Sequence, residues 1–321
     1  MATSNSYDFA LTRDNILTLA HQHIGALGEG ETLTTAQTTE AALLLNMIVK
    51  LRANMGMPVW GLKRGYILPF SGASSIATDS HCVTSYDTTT LSAAALASAT
   101  TITLTSATGF SNGDQIGVEL TNGDMHWTTI NGAPSGNNVT LTSGLASAAA
   151  SGGRVYGYTS STERISKPLR IIQANRYDVA NAVGVPIELL SRVDYYNISN
   201  RTNEGQPNSL FYDPGSTSNT NLDNASFFIW PRFADGDSII EMVYHRQFQD
   251  FDGSTDNPDF PQAFYLPLMM ELAAILGPKF GVPIDERKAL LNEAQGYFSM
   301  ALETTTQEES VYFEVDRSYG R

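Results

Sequence analysis

The sequence predicts an α+β fold in which helices from both ends of the chain form one four-helix layer around a β-rich middle. Three observations predict it. Apolar residues recur at helical spacing near both ends. The middle contains short alternating segments separated by Asn-Gly pairs. The last residues alternate again after the final helical pattern. The 321 residues then divide into an N-terminal helix pair with the first core strand (1–70), an inserted β-rich module (71–165), a β-rich part of the core (166–257), a C-terminal helix pair (258–307) and an extended tail (308–321).

Two N-terminal helices are predicted, over residues 12–27 and 35–55, with Thr12 as the N-cap of the first. Gly28 and Gly30 should end the first helix, and Gly56 and Pro58 the second. The first buried face should be Ile16, Leu19, Ala20, Ile24 and Leu27, and the second Leu44, Met47, Ile48, Leu51 and Met55. The short turn between them predicts an antiparallel pair.

The module at 71–165 is rich in Thr, Ser, Ala and Gly. Five short strands are predicted, at 100–106, 114–121, 124–130, 137–143 and 154–158. Asn112-Gly113 and Asn122-Gly123 separate three of them and predict hairpins, since both central residues of a type I′ turn need positive φ. This spacing indicates a small antiparallel sandwich or barrel. Residues 88–99 lack bulk, and we interpret them as a linker into the module.

The C-terminal part of the core contains four longer strand patterns, at 168–179, 209–214, 225–232 and 238–248. Two helices follow, at 261–280 and 284–306, and Pro267 should kink the first. Their predicted apolar faces are Phe264, Leu268, Leu272, Ile275 and Leu276, then Leu290, Leu291, Ala294, Tyr297, Phe298, Ala301 and Leu302.

The tail alternates apolar and polar residues with period two, which is typical of a half-buried strand. No later segment of the sequence can form a hairpin with it. We therefore expect this strand to pair outside its own subunit, with the sheet of residues 166–250 as the alternative partner. The residues expected at that interface are Val311, Tyr312, Phe313, Val315, Arg317, Tyr319 and Arg321.

Composition excludes several classes of function. Hydrophobic residues make up 42% of the chain and charged residues 16%, which is the balance of a globular protein. The net charge of −14 repels phosphates, so we do not expect sequence-specific binding to nucleic acid. No run approaches 18 apolar residues, so no membrane partner is expected. The single cysteine, Cys82, excludes an intrachain disulfide.

No pattern in the sequence predicts catalysis, a cofactor or a metal ion. Residues 250–259 place carboxylates at alternating positions, as Ca²⁺ binding requires. However, Gly253 and Pro261 do not fit an EF-hand, and we interpret the segment as a loop whose aspartates cap turns, with a cation site as the alternative. His21 and His23 point about 200° apart on a helix and cannot share a metal.

Four stretches together resemble the head-to-tail adaptor (connector) proteins of short-tailed bacteriophages. They are AALLLNMIVKLRANMGMPVW; KPLRIIQANRYDV with IELLSRVDYYNISNRTNEGQPNSLFYD; FFIWPRFADGDSIIEMVYHRQFQDFD; and DNPDFPQAFYLPLMMELAAILGPKFGVP. The resemblance is a dispersed pattern over about three quarters of the chain and includes no catalytic signature. The segment GFSNGDQIGVELTNGDMHWTTI looks like a β-module inserted in some of these adaptors and departs from the smallest members.

The resemblance implies a structural protein of the virion, at the vertex where portal and tail meet, assembled in the host cytoplasm. Such adaptors form a homo-oligomeric ring, usually of twelve copies, that binds the portal protein and a tail nozzle, hub or tube protein. DNA passes through the ring without sequence recognition. Adaptor C-terminal tails grip the portal, so portal is the first candidate partner for the tail strand and a neighbouring adaptor subunit is the second.

Two other classes of function stay open at this point. A carbohydrate-binding or tail-fibre module would use the Thr/Ser/Asn-rich sheet, with Trp127 and Tyr156 exposed to stack on sugars. A glycan hydrolase would need only two carboxylates, which no motif fixes.

Overall fold

A computed structural model of the protein describes residues 9–53, 61–215 and 225–303. These residues form a mixed α+β fold with more strands than helices. The chain divides into two compact units, Met1–Gly61 with Phe248–Arg321, and Leu62–Gln247. We call them the helical unit and the β unit. The residues expected at the tail interface, from Val311 to Arg321, lie outside the described ranges.

The helical unit contains α1 (Arg13–His23), α2 (Thr35–Ala53), α4 (Tyr265–Leu276) and α5 (Ile284–Glu303). Helix α4 packs against α1, α2 and α5, and α1 also packs against α2. Hydrogen bonds join the two ends of the chain within this unit. The backbone N–H of Arg13 donates to the carbonyl of Asp256 at 2.8 Å, and the N–H of Phe251 donates to Oδ1 of Asn46 at 2.9 Å.

Two predictions about α1 need correction. Thr12 is the N-cap, as predicted, and its hydroxyl accepts from the N–H of Asn15. The helix ends at His23 rather than Leu27, because Gly25 already adopts a left-handed conformation with φ of +68°. Its buried face includes Leu17 and His21, whereas Leu19 is exposed.

The C-terminal helices begin as the proline positions require. A 3-10 turn (Gln262–Phe264) follows Pro261 and precedes α4. Pro267 is the third residue of α4, where an α-helix has unpaired N–H groups, so Pro267 lies in the first turn and not in the helix interior. Ile275 is exposed, and Leu291 and Tyr297 are exposed on α5, contrary to the predicted faces.

Helix α4 belongs to the one described segment, Gln262–Phe280, that has the length and hydropathy of a membrane span. Of its most apolar window, 61% is buried inside the molecule. Leu268, Leu272 and Ala273 are each 3% exposed or less. This is the burial expected of a core helix.

Two larger sheets form the centre of the β unit. The five-stranded sheet has the order β11-β10-β17-β1-β3, and all its pairs are antiparallel. Its strands are β1 (Leu62–Ile67), β3 (Cys82–Val83), β10 (Arg170–Asp178), β11 (Val183–Pro186) and β17 (Ser238–His245). The four-stranded sheet β12-β14-β15-β2 consists of β2 (Ser75–Ala77), β12 (Glu188–Leu189), β14 (Ser209–Asp213) and β15 (Ser226–Trp230). The unit also contains α3 (Arg192–Asn197) and the small pair β13 (Glu204–Gly205) and β16 (Arg232–Phe233).

The predicted module forms two antiparallel sheets around a shared core. One sheet has the order β4-β9-β6-β7, from β4 (Asp87–Thr90), β6 (Gln115–Glu119), β7 (Met125–Thr129) and β9 (Arg154–Tyr158). The other pairs β5 (Thr101–Thr103) with β8 (Asn138–Thr140). Ile102 and Val139 pack in one cluster with Ile116 and Val155. None of the sheets in the described ranges closes into a barrel, so a sandwich-like arrangement replaces the barrel alternative.

All five strands predicted in the module are present, but one of its two hairpins is not. Asn122-Gly123 joins the paired strands β6 and β7, with Gly123 at φ of +87°. Asn112-Gly113 lies between β5 and β6, which belong to different sheets, and the N–H of Gly113 donates to the carbonyl of Ile130. The prediction that residues 88–99 form a linker is also wrong. The segment begins in β4 and contains the buried Leu91, which forms an isolated β-bridge with Leu104.

A buried aromatic cluster connects the module with the five-stranded sheet inside the β unit. Tyr156 and Tyr158 of β9 pack with Leu68, Val83 and Ile239. The hydroxyl of Tyr156 donates to the carbonyl of Gly236 at 2.6 Å. The domain boundaries at 71 and 165 stay a prediction.

Candidate functional site

The outer side of α2 is an apolar surface that the sequence did not identify. Its inner face consists of Ala41, Leu45, Ile48, Val49 and Ala53, all buried. Leu43, Met47 and Leu51 lie on the other side at spacings of four residues and are 57%, 64% and 57% exposed. We call these three residues the outer stripe. A surface helix normally carries polar residues there, so α2 is apolar on two opposite faces.

The outer stripe contradicts the predicted face of α2, which included Met47 and Leu51 as buried. Met47 is two residues from the fully buried Leu45, and two residues turn a helix by about 200°. The consecutive Leu43-Leu44-Leu45 was the signal in the sequence, because three adjacent leucines cannot share one face. Met55, also assigned to that face, lies outside the described residues.

Neither of the two aromatic residues proposed as sugar platforms is an exposed side chain, because Tyr156 is buried and Trp127 is half-buried. Tyr156 is fully buried. Trp127 stacks on His81 with ring centroids 4.0 Å apart and planes 18° apart. Gly117, its cross-strand partner, also lies close to the ring, and an added Cβ there would be 2.6 Å from the indole. The indole N–H donates to the carbonyl of Pro69 at 2.9 Å. Trp127 therefore holds β7 against the loop before β2.

His81 is held in the same aromatic group. Burial and the nearby guanidinium of Arg164 lower the pKa of His81 to about 4. Its Nδ1 lies 3.2 Å from the hydroxyl of Tyr158. The imidazole is therefore neutral at physiological pH.

The single cysteine and the two histidines of α1 are not arranged for catalysis or metal binding. The Cys82 side chain is fully buried, and burial raises the pKa of its thiol. His21 is buried with Nδ1 2.8 Å from the carbonyl of Leu17, while His23 is exposed. Among the residues that the structure describes, no three His, Cys, Asp or Glu side chains are arranged to hold a metal ion.

In the aspartate-rich loop at 250–259, two carboxylates accept from backbone N–H groups, and Asp250 pairs with Lys50 at 2.7 Å. Oδ2 of Asp256 accepts from the N–H of Asp252 at 2.9 Å and of Gly253 at 2.6 Å. Oδ2 of Asp259 accepts from the N–H of Gln249 at 3.2 Å. These bonds favour the interpretation as a loop with capped turns over the cation site.

Among the described residues β11 is an edge strand of its sheet, and it is poorly suited to adding another strand. The N–H of Ile187, just after β11, donates to Ala174 just beyond the paired part of β10. Because the direction of the backbone N–H and C=O groups alternates along a strand, the backbone groups of Gly184 and Pro186 point away from β10. Proline has no N–H to donate, which protects such edges.

Comparisons with known proteins add little. No protein-family profile and no curated protein matches the chain. Among solved structures, a short part of the chain is similar to the Gp54 tailspike of Acinetobacter baumannii bacteriophage AP22, solved in complex with A. baumannii capsular saccharide. The identity is 14%, the match covers 23% of this chain and 14% of that chain, and the TM-score is 0.21. A similarity at this level supports no statement about fold or function.

Proposed function

We propose that the protein is a structural adaptor that assembles into a ring between the portal and the tail of a short-tailed bacteriophage. The observation that carries this proposal is the outer stripe of α2, an apolar helix face that is left exposed among the residues that the structure describes. In the proposed ring, α1, α2, α4 and α5 form one layer in each copy. The outer stripe then lies between neighbouring copies.

The free energy that burial of the outer stripe can contribute is that of one part of a larger interface. Burying a Leu or Met side chain completely contributes about 1.5–3 kcal/mol, so each stripe residue, about 60% exposed, has roughly 1–2 kcal/mol left to gain. Association costs about 4–15 kcal/mol, so three side chains alone do not hold two copies together. Other exposed apolar residues of the same unit, Ile284 and Met300 at 61% and 63%, add to the available surface.

A ring of identical copies would account for an apolar surface that one copy leaves exposed. Head-to-tail contacts that close on themselves bury every copy of the surface and leave none exposed. We propose twelve copies, enclosing a channel through which DNA passes, with the net charge of −14 keeping the wall from binding phosphates. The protein would reside in the virion and act without catalysis.

The assembly is tested by native mass spectrometry of the full chain. We expect a closed oligomer of several hundred kilodaltons for the wild type and loss of that species in Met47→Glu. Leu96→Glu, which changes a 79% exposed residue of the β unit, is the matched control and should assemble normally. Assembly of Met47→Glu at wild-type strength would contradict a role for the outer stripe.

The proposed contact with portal is tested by removing the tail. We propose that Val311, Phe313 and Val315 add to an edge of the portal, with Arg317 and Arg321 contacting polar groups nearby. Removing residues 308–321 should leave the melting temperature unchanged and abolish binding to isolated portal. If truncation unfolds the chain, the tail belongs to its own sheet and the portal contact is wrong.

A further inference from the structure

Three Asn-Gly pairs lie in the β unit, at residues 112–113, 122–123 and 131–132, and each of the three asparagines is exposed. An asparagine followed by glycine can lose its side-chain amide nitrogen without an enzyme, because the next backbone nitrogen attacks the carboxamide. Glycine favours this attack, since it has no Cβ and its backbone adopts many conformations. The three pairs share this reactive sequence but differ in their hydrogen bonds.

Backbone carbonyls hold the attacking nitrogen in two of the pairs. The N–H of Gly113 donates to the carbonyl of Ile130 at 2.9 Å, and the N–H of Gly123 donates to the carbonyl of Leu120 at 2.9 Å. These bonds are part of the turns themselves. Attack by either nitrogen therefore requires the turn to open.

The side-chain carboxamides differ as well. Nδ2 of Asn122 donates to Oδ2 of Asp124 at 2.6 Å, and its Oδ1 accepts from the N–H of Asp124 at 3.3 Å. Oδ1 of Asn112 accepts from the N–H of Gly132 at 2.6 Å. The carboxamide of Asn131 makes no hydrogen bond to any residue that the structure describes. Asn131 is therefore the asparagine whose side chain can turn towards the next nitrogen without losing a bond.

The attacking nitrogen of this third pair is that of Gly132. Its N–H donates to the side chain of Asn112 and not to a backbone carbonyl. The Asn112 side chain is exposed and can rotate away without breaking any backbone pairing. Gly132 has φ of +92°, and a Cβ built there would meet nothing within 4 Å. The peptide group between Asn131 and Gly132 therefore has room to move.

We propose that Asn131 is a site of spontaneous deamidation. Solvent hydroxide takes the proton of the Gly132 N–H, and the nitrogen attacks Cγ of Asn131 to form the new C–N bond of a cyclic succinimide. The bond from Cγ to Nδ2 breaks, and ammonia leaves with a proton taken from water. Water then adds to one of the two imide carbonyls and opens the ring, which gives aspartate or isoaspartate. Each event adds one negative charge to the surface of the β unit.

Asn112 controls the rate of this reaction. While its Oδ1 accepts from the N–H of Gly132, the nitrogen is held away from attack. A hydrogen bond between neutral groups changes an equilibrium by a factor of about 2 to 12, and a bond to a carboxylate is stronger. Removing the acceptor should therefore speed deamidation of Asn131, and replacing it by a carboxylate should slow it.

The proposal is tested by peptide mapping with mass spectrometry on the full chain, incubated in mildly alkaline buffer and sampled over time. In the wild type, Asn131 should deamidate about threefold or more faster than Asn112 or Asn122. Asn112→Ala should raise the rate at Asn131 about threefold or more, and Asn112→Asp should lower it by a similar factor. Asn122→Ala, at the exposed asparagine of the β6–β7 turn, is the matched control and should leave the rate at Asn131 unchanged.

The Asn112 variants fit the backbone. Among the described residues other than glycine, positive φ occurs at Ser98 and Ala182, so alanine or aspartate at position 112 meets no strain. General loosening of the turn would speed the reaction in both variants, whereas the proposed bond predicts opposite changes. Melting temperatures show whether each variant is folded.

Two results would overturn the proposal. One is a wild-type chain in which Asn122 deamidates as fast as Asn131. The other is a rate at Asn131 that Asn112→Ala and Asn112→Asp change in the same direction. Neither result bears on the adaptor function, because the three pairs and the groups that hold them all lie within the β unit.

Discussion

The two faces of α2 predict opposite consequences for two leucines that are two residues apart. Leu45 is fully buried and Leu43 is 57% exposed. Replacing Leu45 by Ala removes a packed side chain from the core of the helical unit and leaves a cavity, at a cost of about 2–5 kcal/mol. Replacing Leu43 by Ala removes atoms that are less than half buried, at a cost of roughly 1 kcal/mol or less. The helix propensity change is the same in both variants.

The assay is urea unfolding followed by circular dichroism at 222 nm, at several protein concentrations, with native mass measured alongside. Leu45→Ala should lower the free energy of unfolding at every concentration. Leu43→Ala should mainly weaken assembly, so its stability loss should appear where the wild type is oligomeric and shrink on dilution. Equal destabilisation of dissociated chains by both variants would refute the two-face description of α2.

Three further predictions concern the core, the module and His81. Leu272→Asp, at a fully buried position of α4, should destabilise the helical unit by about 3 kcal/mol or more in urea unfolding, whereas Leu266→Asp, 47% exposed, should not. Replacing residues 88–158 by a Gly/Ser linker should preserve the helical circular dichroism signal, although Leu68 and Val83 lose packing partners; loss of the helical signal would contradict a separable module. The pKa of His81 is about 4 in the folded chain and about 6.5 in the unfolded chain. The neutral imidazole therefore contributes its full share of the free energy of unfolding above pH 6.5. That share, roughly 2–4 kcal/mol, is lost as the pH falls towards 4. His81→Phe should flatten that part of the stability–pH profile, and an unchanged slope would contradict the burial of His81.

The strands were predictable because their signals are local. Alternation identified the strands of the module and the four longer strands, and the Asn122-Gly123 turn fixed one hairpin. Pairing between distant strands was not predictable. The sequence alone does not show that β5 pairs with β8 across 34 intervening residues, because no local pattern encodes the partner.

The candidate sites were harder to predict than the fold. The outer stripe was misassigned because a helix with two apolar faces satisfies the periodicity rule on either face. Asp79 and Trp127, which are far apart in sequence and share no motif, line one pocket of the β unit. Trp127 was expected to be exposed, but the close approach of Gly117 depends on the register between β6 and β7, which the pattern of residues does not determine.

The central claim, that the chain is an assembling structural protein, is tested most directly by electron microscopy of the purified full chain. The proposal predicts closed rings with a central channel and about twelve-fold symmetry, and their absence in Met47→Glu. Uniform single-chain particles at micromolar concentration, both alone and with portal, would contradict it.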